Sequence, residues 1–243
     1  MARAAVLGRL TWRVATVAAV RDETSTARTL VLDVPGWPGH LAGQHVDIRL
    51  TAEDGYTAVR SYSVASSGDG DQLEVTVEQV EDGEVSSYLA VVADVGDLVE
   101  VRGPVGGWFV WRPEQTEPVQ LVAGGSGIVP LMAMIRARAS AGLGVPFRLL
   151  YSVRRPDSII YRRELLAPVG GLDVTYAYTR EAPADSRRAP GRIDAALVAE
   201  AAWPAAVEPT CYVCGPTAFV ESVAALLTDA GHDPERIRTE RFG

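Results

Sequence analysis

Arg60-Ser61-Tyr62-Ser63 sets a cation, an aromatic ring and two hydroxyls within four residues. In an extended strand successive side chains alternate between faces, so Arg60 and Tyr62 share one face and Ser61 and Ser63 the other. A guanidinium forks onto phosphate oxygens. An aromatic ring stacks on a flat heterocycle. One strand could thus hold both parts of a ligand that carries a ring and a phosphate. Taken alone, an amphipathic edge strand explains these four residues as well.

Three later segments add to the pattern. Gly83-Glu84-Val85-Ser86-Ser87 runs from a turn into a helix start, where Ser86 or Ser87 is expected to cap. A helix N-terminus offers free N–H groups and partial positive charge to a phosphate. Ala123-Gly124-Gly125-Ser126-Gly127-Ile128-Val129-Pro130 follows an apolar strand and opens a helix. Its glycines let backbone amides approach a pyrophosphate, and Pro130 suits the first helical turn. The spacing is not G-x-G-x-x-G. Cys214-Gly215-Pro216 ends a later strand, at the edge where an open α/β sheet forms its ligand crevice. Thr179-Arg180 ends another, with Arg187, Arg188 and Arg192 in the polar loop beyond.

In this order and at these distances the segments resemble the ferredoxin–NADP reductase superfamily, from roughly Trp12 to the C-terminus. The resemblance implies FAD on a β-barrel and a nicotinamide nucleotide on an α/β domain. Hydride would pass to flavin and electrons to a separate protein. It places the flavin against Arg60, Ser61, Tyr62 and Ser63, with the Ser63 hydroxyl at N5. Its pyrophosphate would lie at Gly83, Val85, Ser86 and Ser87. The nicotinamide nucleotide would meet Gly124, Gly125, Gly127, Pro130, Gly215 and Pro216. Thr179, Arg180 and Arg188 would read a 2′-phosphate, which favours NADP over NAD, although Glu181 argues the other way. The implied catalytic set is Ser63, Cys214 and Glu240. Cys214 would sit beside the nicotinamide C4, Glu240 would reach the Ser–Cys pair, and Phe242 would cover the flavin's second face. Phe242 departs from the plant-type terminal Tyr, and Gly243 is extra. Gly103-Pro104-Val105-Gly106-Gly107-Trp108-Phe109 resembles the segment that closes the barrel, blurred by an additional Gly and by Trp108.

The elements that must position these residues come in two rhythms. Up to Arg112, β-branched runs alternate with turns: Trp12–Val20, Thr29–Val34, His45–Leu50, Tyr62–Val64, Leu73–Gln79 and Leu98–Arg102, with a helical piece near Ser86–Ala93. Beyond Glu117, strands alternate with helices, which points to a parallel sheet. The fold class is thus an antiparallel β-barrel over residues 1–112 followed by a parallel-sheet α/β domain over 118–243, joined by the polar linker Arg112–Glu117. Ala218–Ala230 is expected as the last helix, and a frayed tail is the alternative reading of Glu240-Arg241-Phe242. Residues 1 to about 10 are expected to form a mobile strap.

A chain of 243 residues accommodates two such domains. The formal charge of −8 argues against nucleic acid as a partner. No apolar run is long enough for a membrane span. Cys211 and Cys214 would point to opposite faces of one strand, so two reduced thiols and a cytoplasmic location are expected, with no metal site. The chain lacks the cysteine cluster of a plant-type two-iron centre. The one-electron acceptor is therefore expected to be a separate protein, ferredoxin or flavodoxin first, a haem or molybdenum oxidase next. Two alternatives stay open: a flavin reductase using diffusible flavin, and an FAD subunit without nicotinamide turnover. The oligomeric state is open, with a monomer favoured.

Overall fold

The computed structural model describes residues 10–68, 71–167 and 170–242. Nearly all of the expected N-terminal strap, and Gly243, lie outside them. Six strands form the first sheet: β1 (Trp12–Asp22), β2 (Ala27–Asp33), β3 (His45–Thr51), β4 (Thr57–Ser63), β5 (Gln72–Glu78) and β6 (Leu98–Val105). All its pairings are antiparallel, in the order β4-β3-β6-β1-β2-β5. A bridge between Val64 and Val75 joins the two end strands and curls the sheet into a barrel. Alternation sends Val46, Ile48, Leu73, Val75, Val77, Val99 and Val101 inward, where they are buried together. A short helix, α1 (Glu84–Ser87), extends through a wider turn at Tyr88–Val92 and caps this core with Val85 and Leu89. Strand β4 begins at Thr57, five residues before the sequence pattern suggested. Its Thr57–Arg60 half is largely exposed, so alternation there is faint.

The second sheet is parallel and has the order β11-β10-β7-β8-β9. Its strands are β7 (Val119–Gly124), β8 (Phe147–Val153), β9 (Leu172–Tyr178), β10 (Thr210–Pro216) and β11 (Ile237–Phe242). Helices α2 (Ile128–Ser140) and α3 (Arg162–Leu166) lie on one face. Helices α4 (Ala195–Ala201) and α5 (Thr217–Asp229) lie on the other. Strand β10 divides its side chains between the two layers. Cys211 and Val213 join the α4–α5 core, while Tyr212 and Cys214 join the α2 core. The two cysteines are free and face apart, as the strand reading expected. Phe109 and Trp111, which precede the linker, are buried in the α2 core, and Trp111 packs edge-on against Phe147. The last six described residues are a strand and not a tail, paired with β10 along its length. No helix among the described residues is long and apolar enough to cross a membrane.

Candidate active site

The parallel sheet reverses its strand order between β7 and β10. Such a switch point leaves a crevice beyond the carboxyl ends of the strands. The glycine-rich turn after β7 and Cys214-Gly215-Pro216 at the end of β10 meet there. Packing explains most of these glycines. A Cβ on Gly127 would stand 2.2 Å from the Cys214 carbonyl oxygen. Gly124 and Gly215 press on the Phe219 ring, with Cβ positions 2.8 and 2.6 Å from it. Gly125 differs: its φ is +56°, and the nearest atom to its Cβ position is Glu78 Oε2 at 4.0 Å. With Gly124 it lines a cavity, and of the two it is the one with open space around its Cβ position. Pro130 is buried within the first turn of α2.

Cys214 and Glu240 are register partners on the parallel strands β10 and β11. Ser63, the last residue of β4, reaches the same corner from the barrel, where its hydroxyl favours the charged form of the Glu240 carboxylate. Burial pushes the Glu240 carboxyl up to about 7, and the Ser63 hydroxyl opposes that rise. Burial, and then the Glu240 charge, push the Cys214 thiol well above its ordinary range. A neutral thiol is a packing surface and not a nucleophile. Residues from three distant parts of the chain thus share one corner.

That corner borders a cavity of about 500 Å³ lined by His45, Ser61, Ser63, Trp108, Glu240 and Phe242. On β4, Arg60 and Tyr62 pair with the buried Ile48 and Val46, so they share the inward face of the strand. Burial pushes the Tyr62 hydroxyl up to about 12. The Arg60 guanidinium bonds the Val59 carbonyl at 2.7 Å, and among the described residues it has no carboxylate partner. The Ser61 hydroxyl is committed to Asp47 at 2.7 Å. The α1 start differs from expectation. Gly83 is its N-cap, with no side-chain cap. Ser86 donates to the Gly83 carbonyl and accepts from the Val80 N–H, so its hydroxyl closes the turn. The helix begins earlier than assumed, which moves both serines past the capping position. Val85 is buried, leaving only its backbone to face a ligand.

A second cavity of about 520 Å³ adjoins the first, and Phe242 lines both. Gly125, Arg154, Arg155, Thr179, Arg180 and Pro216 line it from the α/β side, and Thr24–Thr26 and Glu78 from the barrel side. The Arg180 and Glu181 amides both bond the Arg154 carbonyl, which brings three guanidiniums and one carboxylate to one rim. Glu181 lies 3.8 Å from Arg155. Arg188 is not among the lining residues, and its guanidinium is paired with Asp194. The sequence reading missed His45, Glu78, Thr24–Thr26, Arg154 and Arg155. The two arginines were findable, because they directly follow β8 and strand ends line such a crevice.

The donor set along β4 suits a flavin dinucleotide, with Ser61 and Ser63 facing the first cavity and Arg60 and Tyr62 on the strand's other face, and the second cavity suits a nicotinamide nucleotide. An arginine with no carboxylate partner among the described residues, a half-buried tyrosine and a hydroxyl follow one another along an edge strand. The second cavity joins arginines to an open, positive-φ glycine. Comparison with known proteins agrees. An oxidoreductase FAD-binding domain model matches residues 11–110, and an oxidoreductase NAD-binding domain model matches 121–225. A flavohemoprotein of Bacillus cereus is 29% identical over 84% of this chain and 53% of its own length. The glycine betaine monooxygenase reductase subunit of Chromohalobacter salexigens is 30% identical over 83% of this chain and 55% of its own. This chain thus spans about half the length of the curated relatives it matches. Among solved structures, the FAD/NAD-binding domain of nitric oxide dioxygenase from Vibrio cholerae superposes with a TM-score of 0.84 at 26% identity. That match covers 95% of this chain and 98% of the other.

Proposed function

Because this chain belongs to the ferredoxin–NADP reductase superfamily of paired FAD-binding and NAD-binding oxidoreductase domains, we propose that it oxidises NADPH and passes electrons to a separate acceptor protein. The observation that carries this reading is the meeting of Ser63, Cys214 and Glu240 beside two adjoining cavities. FAD, when bound, supplies hydride acceptance and one-electron release. The chain's own residues hold and align. Arg60 would grip the pyrophosphate, Tyr62 would cover the ring, and Phe242 stands between the cavities. Cys214 gives the nicotinamide a neutral, buried surface. Glu240, with its carboxyl held up at about 7, would relay a proton through the Ser63 hydroxyl, which gives up its own proton towards the flavin site as it takes one from the carboxyl.

Arg154, Arg155 and Arg180 favour a donor with a 2′-phosphate. The Glu181–Arg155 pair favours NADH as the second reading, since it neutralises one of the three. A ferredoxin or flavodoxin is the acceptor we favour. Relatives named as a monooxygenase reductase subunit and as a toluate dioxygenase electron transfer component support a separate partner. Anaerobic titration of the FAD-loaded protein with NADPH and NADH tests this. Bleaching of the flavin absorbance by NADPH at lower concentration than by NADH is expected. A flavin that neither nucleotide bleaches would overturn the proposal.

A further inference from the structure

We infer that the barrel turn Thr24–Thr26 is a working wall of the nucleotide site, held in place by a hydrogen-bonded clamp between Glu23 and Tyr161. This rests on the reading that a nicotinamide nucleotide occupies the second cavity.

The clamp is a closed ring of side chains and backbone. The Thr29 hydroxyl donates to Glu23 Oε1 at 2.7 Å. The Thr29 oxygen then accepts from the Thr76 hydroxyl, also at 2.7 Å. Thr76 in turn accepts from the Tyr161 hydroxyl. The Tyr161 N–H closes the ring on Glu23 Oε2 at 3.2 Å. Only one proton order satisfies every hydroxyl, running from Tyr161 through Thr76 and Thr29 to the carboxylate. Thr29, Thr76 and Tyr161 are buried, so the two hydroxyl–hydroxyl bonds are made where water cannot replace them, while the two bonds to Glu23 are part-buried. Tyr161 also adopts a left-handed backbone, φ 59°, which a non-glycine residue holds only when its surroundings impose it.

A second link reinforces the first. The Arg136 guanidinium lies 4.8 Å above the Tyr161 ring. It bonds Glu164 of α3 at 2.6 and 2.9 Å. It also crosses to the barrel, bonding Glu74 at 3.0 Å and the Ala65 carbonyl at 2.9 Å.

Both ends of the ring abut the cavity. Glu23 precedes Thr24–Thr26, and Tyr161 closes the loop that carries Arg154, Arg155 and Ser158. Thr24 shapes the turn itself, accepting from the Thr26 and Ala27 amides. The clamp therefore sets the spacing between opposite walls of one site. The Val64–Val75 bridge brings β4 beside β5 around the barrel, but none of the clamp's hydrogen bonds reaches Arg60 or Tyr62 on β4. Glu23 and Tyr161 are positioning residues for the nucleotide and have no part in holding FAD.

Calorimetric titration of the FAD-loaded protein with NADP⁺ and with NAD⁺ tests this. Glu23→Ala should weaken both nucleotides by roughly five- to tenfold, the scale of one or two lost hydrogen bonds. FAD content should stay at the parent level. Glu23→Gln, which keeps one acceptor oxygen, should fall between. Tyr161→Phe keeps the ring under Arg136 and should shift affinity in the same direction by less. The double variant should be no weaker than Glu23→Ala, because both act through one ring. Parent-like affinity in both single variants would overturn the inference, as would loss of affinity only in step with loss of FAD. A parent protein that binds neither nucleotide would instead refute the reading of the cavity, and the inference with it.

Discussion

Glu240 lies beside Cys214 on the neighbouring parallel strand, so β11 is locked into the candidate site. The pairing follows from β11 running along β10 as far as Phe242. Through it the carboxylate meets Ser63 of the barrel on one side and the thiol of the α/β sheet on the other. One part-buried acid therefore senses both halves of the molecule.

Tyr62 should help retain the flavin. The purified protein should be yellow, with FAD as the released chromophore. Stacking on an aromatic ring contributes about 0.5–1.5 kcal/mol. Tyr62→Ala should then raise the FAD dissociation constant roughly two- to tenfold, and Tyr62→Phe should restore it. Fluorescence of flavin released on dilution measures this. A Tyr62→Ala protein that retains flavin as tightly as its parent would show that the ring is held elsewhere.

Arg180 should discriminate between the nucleotides. A hydrogen bond to a charged group contributes about 1.5–3 kcal/mol. Arg154 and Arg155 share the same rim, so the lower end applies. Arg180→Ala should raise the NADPH Michaelis constant roughly tenfold and leave that for NADH nearly unchanged. Glu181→Ala, which frees Arg155, should move the ratio towards NADPH. Steady-state rates with both donors decide the matter. An equal loss for both donors after Arg180→Ala would remove it from 2′-phosphate recognition.

Gly127 should not tolerate a side chain. Its Cβ position lies 2.2 Å from the Cys214 carbonyl oxygen, a backbone atom fixed between β7 and β11. Overpacking of this kind costs about 1–3 kcal/mol. Gly127→Ala should lower the thermal midpoint and displace Cys214 from the crevice. Gly125→Ala strains a left-handed backbone but meets nothing closer than 4.0 Å. Its main effect should be on nucleotide binding. If Gly127→Ala melts with the parent, the turn packs differently from the contact described.

Much of this arrangement was legible in the chain, for reasons that differ by element. Alternation in Leu73–Glu78 and the run Val119–Val122, apolar but for the buried Gln120, gave strands, because each pattern matches how many faces are buried. The opposed faces of Cys211 and Cys214 followed from strand geometry alone. Strand β11 was hidden. Ile237-Arg-Thr-Glu-Arg-Phe carries three charges, and it lies at the sheet edge. Arg238 is satisfied by the Val110 carbonyl and Glu240 by Ser63, partners that no local pattern reveals. The glycines were found, but for Gly124, Gly127 and Gly215 the structural reason is contact with Phe219 or Cys214. The clamp residues Glu23, Thr29 and Thr76 carry no local signature, since their meaning lies in a contact with Tyr161 far along the chain.

Glu240 should make stability fall as pH rises. Its carboxyl is held at about 7 in the folded protein, against an ordinary value of 4.5. Between those values the folded state binds the proton more tightly than the unfolded chain does. Stability therefore declines as pH climbs from about 4.5, and the loss is complete above about 7. A shift of this size corresponds to at most about 3–4 kcal/mol, since each unit is about 1.4 kcal/mol. Glu240→Gln keeps the shape and cannot ionise. It should match the parent near pH 4.5, gain on it steadily through neutrality, and hold a constant lead above pH 8. Ser63→Ala removes the bond that favours the charged form, so it should push the carboxyl higher and steepen the parent's decline. Thermal midpoints across this range, at matched flavin content, read both effects. A Glu240→Gln lead that is the same at every pH would mean the carboxyl is not held above its ordinary value. The proton exchange assigned to it with Ser63 would then fall.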